Sequence, residues 1–399
     1  MKSADKNTSV FPQGDLSQTE AQRCKAGTPR SVTATIDRKG WKHVRLGDVC
    51  KLCRGVRVVR SQLSQGCYLV YQNSLIPLGH YDKYNAPAKT TFVIAAGSAG
   101  EIGYCDESFW AADDCFFLLP NESIISKFLY YSLTTQHQHI SGLVRRGSVP
   151  RLARDIVGNL VLRLPDLSEQ DEIVGALTSI DTHISALESL IAKYEAIKKA
   201  TVNLLLEPKT GWRRVLLGDV CSSFSYGVGA SAIPYDGTNR YIRITDIDDD
   251  SHEFRPSPLS SPSHFKHDNI VNEGDILIAR TGASVGKSYI YHPNDGKLIF
   301  AGFLIRAAIN HDVADPYFIF LQTLTDKYRQ WVAEESMRSG QPGLNINQYK
   351  DFEFCIPKMS EQHKITAQIN EIDAVLNDCK KQLNKAQNLK QGMMSYFFG

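Results

Sequence analysis

The stretch Arg280-Thr-Gly-Ala-Ser-Val-Gly-Lys-Ser288 follows an apolar run and ends Gly-Lys-Ser, the order in which a phosphate-binding loop reads. Such a loop needs four residues between its glycines, and then a helix whose first amides hold the phosphates. Here three residues separate Gly282 from Gly286, and the following Tyr-Ile-Tyr-His-Pro-Asn-Asp-Gly reads as a strand and a turn. The expected structure is therefore a tight turn between two strands, with Arg280 and Lys287 available at most to nucleic-acid phosphates. Other chemical candidates are weaker. Cys50 and Cys53 form one CxxC with no second pair to complete four zinc ligands, so two incidental thiols are expected and no metal site. His137 and His139, two apart on a helix, point to different sides.

The elements that must position these residues are bounded by composition. The chain has 399 residues, 42% hydrophobic and 22% charged, with a net charge of +2. That length suits two or three domains. No apolar run approaches the roughly 20 residues of a membrane span, the first 39 residues lack an export-type apolar core, and nine scattered cysteines fit a reducing cytoplasm. Charge is uneven along the chain. Residues 40–165 hold 14 Lys and Arg against 9 Asp and Glu, and residues 166–207 hold 3 against 8. Residues 211–357 hold 14 against 18.

An internal repeat organises the whole. Gly40-Trp-Lys-His-Val-Arg-Leu-Gly-Asp-Val-Cys50 returns 171 residues later as Gly211-Trp-Arg-Arg-Val-Leu-Leu-Gly-Asp-Val-Cys221. Leu164-Pro-Asp-Leu-Ser-Glu-Gln returns 192 residues later as Ile356-Pro-Lys-Met-Ser-Glu-Gln, so the second copy is longer by 21 residues. Each copy opens with short β-type runs broken by Gly, Pro and Asn and closes in a long helical pattern. In the first helix Ile173, Leu177, Ile180, Ile184, Leu187, Ile191, Tyr194, Thr201 and Leu205 keep heptad spacing. Ile365, Ile369, Ile372, Leu376, Cys379, Leu383, Ala386, Met393 and Phe397 repeat it in the second. Ser168 and Ser360, just past Pro165 and Pro357, are the expected N-caps. A stripe about 58 Å long needs a partner, and the other copy, with its opposite net charge, supplies one.

The fold class expected is α+β. It consists of a tandem duplication of a β-rich mixed domain plus a long helix, the two helices pairing as an antiparallel coiled coil. The boundaries read as a polar, disordered tail 1–39, a first globular domain 40–165 and its helix 166–207. A second globular domain 211–357 and its helix 358–399 follow. Two similar readers on a rigid strut suit a long, bipartite target such as duplex DNA with two half-sites.

These repeated motifs resemble the specificity subunit of Type I restriction-modification enzymes. The resemblance is carried by the two Gly-Trp openings, Arg280-Thr-Gly-Ala-Ser-Val-Gly-Lys287, Phe109-Trp-Ala-Ala-Asp-Asp-Cys115 and the two Ser-Glu-Gln helices, and it covers about 360 residues. It implies two target recognition domains, each reading half of an asymmetric split DNA site, and spacer helices that dock two methyltransferase subunits. A translocase/nuclease restriction subunit joins that core. It further implies no catalytic centre in this chain, the S-adenosylmethionine, ATP and Mg being used by partner subunits. Asp315-Pro-Tyr-Phe lacks the second proline of an adenine-methylating loop, in agreement.

Phosphates call for Lys and Arg, and base edges for Arg, Lys, Asn or Gln, on loops held by a scaffold. The candidates are Lys51, Arg54, Arg57 and Arg60, a run without an acid; Arg145 and Arg146; Arg280 and Lys287; and Arg338 with Gln341. A solvated basic face, or a structural ion pair for Arg280, would account for the same residues. The acidic Asp246–Asp250 run counts against a broad positive surface on the second domain. Residues 56–90 and 228–270 differ most between copies and are where half-site preference is expected. A bipartite Type II-like specificity subunit, a coiled-coil protein adaptor or a nucleotide hydrolase would be the competing functions.

Overall fold

The computed structural model describes residues 40–337 and 343–399; the tail 1–39 and the candidates Arg338 and Gln341 lie outside the described residues. The described residues divide into two compact units, 40–181 with Leu389–Gly399, and Thr182–Asn388 without 338–342.

In the first unit the opening motif forms strand Lys42–Arg45, which pairs antiparallel with Val161–Leu164. Entry to and exit from the globular part therefore lie side by side. Trp41 is buried behind this ribbon and donates its indole N–H to Glu169 at 3.0 Å. A four-stranded antiparallel sheet follows in the order Cys50–Arg54, Cys115–Pro120, Thr90–Ile94, Ile102–Cys105. Thr90–Ile94 is buried throughout because both faces are covered. Val93 meets helix Ser126–Thr135 through Phe128 and Leu129. Phe92 and Ile94, pointing the other way, join Phe109 and Phe117. Cys50 and Cys53 stand three apart on a strand and so face opposite ways; burial pushes the Cys50 thiol up to about 12.

The second unit repeats the plan. Arg213–Leu216 pairs with Glu353–Ile356, and the four-stranded order is Cys221–Tyr226, Leu304–Ile309, Ile276–Ala279, Ser288–Ile290. Its longer middle holds the strand pair Ala232–Pro234 and Ser260–Pro262, and a parallel pair, Arg240–Ile242 with Leu298–Phe300. Asp315-Pro-Tyr-Phe opens helix Pro316–Gln322. The Asp315 carboxylate accepts from the Phe318 amide at 2.8 Å, and Pro316 takes the first helical position, where its missing N–H is not needed.

The long helices are Leu167–Leu205 and Met359–Phe398. Their starts correct the expected caps. Asp166, not Ser168, caps the first helix, its carboxylate accepting from the Glu169 amide at 2.9 Å. Ser360 is likewise inside the second helix, and the Lys358 carbonyl takes the Glu361 amide at 2.9 Å. Asp following Pro165 is the better-placed acceptor, one residue before the first turn.

The motif's functional member is instead the glutamine. Gln170 is fully buried, accepts from the Ile125 amide at 2.8 Å and donates to the Ser123 and Pro165 carbonyls at 3.0 Å each. Gln362 repeats this with the Asp315 amide at 2.9 Å and the Pro357 carbonyl at 3.0 Å. Each glutamine ties a long helix to the loop before its short helix.

Within each unit the long helices run antiparallel. Thr182–Asn388 brings Ile191 against Leu376 and Cys379, with Glu195 on Lys380 at 3.1 Å and Lys198 on Asp373 at 2.6 Å. The other unit packs Ile173 and Leu177 with Met394 and pairs Asp181 with Lys390 at 2.6 Å. Ile180, Ile184, Leu187, Ile365, Ile369, Ile372 and Leu383 are all buried or half-buried. Towards the C-terminal ends the stripe moves one residue. Val202, Leu206 and Met394 are buried, where Thr201, Leu205 and Met393 are only half-buried. A straight helix of 3.6 residues per turn drifts about 20° per heptad, which over four heptads approaches one residue.

Candidate nucleic-acid interface

Four segments meet in each unit, tied by backbone hydrogen bonds. In the first, Ala95 N–H donates to Asp114 O at 2.7 Å, Leu152 to Ala95 O at 2.8 Å, Gly97 to Pro150 O at 3.2 Å and Gly55 to Cys115 O at 3.0 Å. In the second, Arg280 donates to Phe303 O at 3.0 Å, Leu344 to Arg280 O at 2.9 Å and Gly227 to Leu304 O at 3.2 Å. The glycine loop is a strand-to-strand turn in both, closed by Gly100 N–H on Ile94 O and Gly286 N–H on Ala279 O, each at 2.9 Å. Gly97 and Gly282 hold φ of 85° and 78°, values that favour glycine. Ser288–Ile290 follows as a strand antiparallel to Ile276–Ala279, so no helix stands where a nucleotide phosphate would need one.

The first unit brings several cations to this cluster. Arg54 is exposed and donates Nε to Asp113 O at 3.0 Å, beside the turn that holds Ala95. Arg145 is exposed and its backbone pairs with that of Arg151. Arg146 lines a cleft of about 530 Å³ with Gly97, Ser98 and His137. Lys51 lies on the same strand as Arg54, about 10 Å away at strand rise; Arg57 and Arg60 are exposed on either side of buried Val58. None of these six has a salt bridge among the described residues. Exposed Arg151 belongs with them and was not singled out by sequence; its place in the Arg145–Leu152 stretch was the available signal.

The second unit is sparer. The Arg280 guanidinium lies 4.8 Å from the Tyr226 ring centre, a cation–π contact. Lys287 is already engaged: its ammonium donates to Asp249 at 2.6 Å and to Ile247 O at 2.5 Å, and its side chain is 11% exposed. The acidic run is largely matched as well. Buried Asp246 holds Arg243 through two hydrogen bonds of 2.8 Å. Asp248 accepts from the Ser251 amide and hydroxyl, contacts that hold its carboxyl below the usual range. Exposed Tyr226 and Phe303 are aromatic members of the cluster that sequence reasoning missed.

A larger cleft of about 1890 Å³ in this unit is lined by Glu195, Lys198, Lys380 and the Asp249–Arg255 segment. Within it Lys198 meets Asp373, Lys380 meets Glu195 and Arg255 meets Glu253 at 2.7 Å. Among the described residues no helix is long and apolar enough to cross a membrane.

The Type I restriction modification DNA specificity domain matches residues 38–199 and again 209–388. The chain belongs to that family and carries two tandem copies of its domain. A putative type I specificity subunit of Mycoplasma pneumoniae, S.MpnORF507P, is 22% identical over 366 residues, 88% of this chain and 95% of its own length. The EcoBI specificity subunit of Escherichia coli is 22% identical over 324 residues, 71% of this chain and 67% of its own length. The structure of a Type-I restriction-modification system S subunit from M. genitalium matches with a TM-score of 0.64 at 18% identity, over 92% of this chain and 97% of that one. The expected fold class is thereby met: mixed helix and sheet, duplicated in tandem, with paired long helices.

Proposed function

We propose that this chain is the DNA-reading subunit of a Type I restriction-modification complex, each globular domain recognising one half of a bipartite, asymmetric site. The observation that carries this reading is the duplicated loop cluster: one scaffold, built once per unit, presenting different side chains. Arg54, Arg145, Arg146 and Arg151 serve phosphates of one half-site, with Lys51, Arg57 and Arg60 flanking; Arg280 serves the other. Residues 56–90 and 228–270 contribute to base preference, and the helix pair sets the spacer. Methyltransferase subunits dock on the helices, where Leu190, Ile197 and Leu204 form an exposed apolar line at seven-residue spacing outside the seam. Methyl transfer from S-adenosylmethionine, and ATP- and Mg-dependent restriction, then belong to the partner subunits. The test is assembly with a methyltransferase subunit and mapping of modified adenines on genomic DNA. A split motif is expected; an assembly that marks none overturns the proposal.

A further inference from the structure

The turn Ala301–Leu304 is fixed on all sides. Ala301 donates to Ile242 O at 3.0 Å, Gly302 to Val228 O at 2.8 Å and Leu304 to Ala301 O at 2.9 Å, while Phe303 O receives Arg280 N–H at 3.0 Å. At the tip of this rigid turn the Phe303 ring is 64% exposed, forgoing the stabilisation that burial would give it. Tyr226, 43% exposed, stands in the same cluster beneath Arg280. The first unit builds the same turn from Ala112–Cys115. Ala112 donates to Tyr71 O at 2.8 Å, Cys115 to Ala112 O at 3.0 Å, and Asp114 O receives Ala95 N–H at 2.7 Å. One backbone position thus carries a phenyl ring in one unit and a carboxylate in the other. A tip whose chemistry changes while its scaffold is kept is suited to reading, not to folding.

We propose that Phe303 is a specificity-determining residue of the second domain, its ring seated against the 5-methyl group of a thymine. That methyl is the apolar group a base pair offers in the major groove. This assignment rests on the DNA-reading function proposed above and names a chemical feature of its target. Arg280, anchored on Tyr226 and hydrogen-bonded to the same turn, supplies the adjacent phosphate contact.

The experiment uses the full chain assembled with its methyltransferase subunit. Once the wild-type motif is mapped, each thymine of the second half is replaced by deoxyuridine in a short duplex, and binding is measured for wild type and Phe303→Ala. One replacement is expected to lower wild-type affinity about tenfold and to leave the variant, already weakened by a similar factor, unchanged. Phe303→Asp is expected to change the preferred base at that position alone. Deoxyuridine without effect at every position, or an equal effect on both proteins, overturns the assignment. So does a Phe303→Ala chain that fails to assemble, which would make the ring a protein contact. A wild-type complex that marks no split motif overturns the underlying function and this inference with it.

Discussion

Arg280 and Lys287 flank one glycine loop, yet their surroundings separate them. Arg280 stacks on an exposed tyrosine, while Lys287 is spent on Asp249 and a carbonyl. Arg280→Ala is expected to weaken binding to all sequences alike and to reduce the magnitude of the salt-dependence slope by about one. Lys287→Ala should leave that slope unchanged, as titration from low to moderate salt would show. His252 offers a second residue-scale test. It holds φ of 58°, places Nδ1 2.8 Å from Ser288 O, and lies 6.1 Å from Phe320 between ring centres. Burial, aided by Lys198, Arg329 and Lys287, lowers its pKa below the ordinary 6.5. The unfolded chain therefore takes up the proton first, so stability from this group is level above about pH 6.5 and falls with acidification until the folded pKa is passed. His252→Asn, which tolerates the left-handed backbone, should flatten the decline in Tm between pH 7 and 5; an unchanged slope would remove His252 from the account. Sequence placed the cations but not their engagements, because Lys287 and Asp249 are 38 residues apart and meet only through the fold.

The long helices were the most legible elements, since heptad spacing is local and both copies carry it. Their caps were less so: Ser is a sound N-cap in isolation, and the preceding proline places Asp166 there instead. The drift of the stripe onto Val202, Leu206 and Met394 follows from helix geometry and marks where a strict seven-residue count stops serving. Ile369, fully buried, is expected to cost about 2–5 kcal/mol on replacement by Ala, measured by denaturant unfolding. Leu190, 38% exposed, should change stability by no more than about 0.5 kcal/mol. Leu190→Glu together with Ile197→Glu should instead abolish co-purification with the methyltransferase subunit while leaving unfolding nearly unaltered. A second device was invisible in sequence because its members come from separate elements. Tyr131 donates to Asp181 at 2.8 Å beside Lys390, and Tyr317 donates to Asp373 beside Lys198. Both the acids and the lysines are 192 residues apart, so the repeat reproduces this polar contact between short helix and long helices in each unit.

At the scale of the molecule, duplication was read from two short motifs, and the structure places the same four-strand order behind both. The segments that differ between copies, 56–90 and 228–270, contribute the small separate sheets, which no periodicity announced. Replacing residues 228–270 with the equivalent segment of another family member should alter one half of the modified motif and preserve the other and the spacing. Genomic methylation mapping decides this, and a change in both halves would end the division of labour. The antiparallel ribbon that joins Lys42–Arg45 to Val161–Leu164, and Arg213–Leu216 to Glu353–Ile356, has a bearing on descent. Each reading domain leaves its frame where it entered, so its interior can lengthen, as the second has by 21 residues, without displacing the helix that follows. A lineage can therefore exchange the vocabulary of such a chain while keeping its grammar.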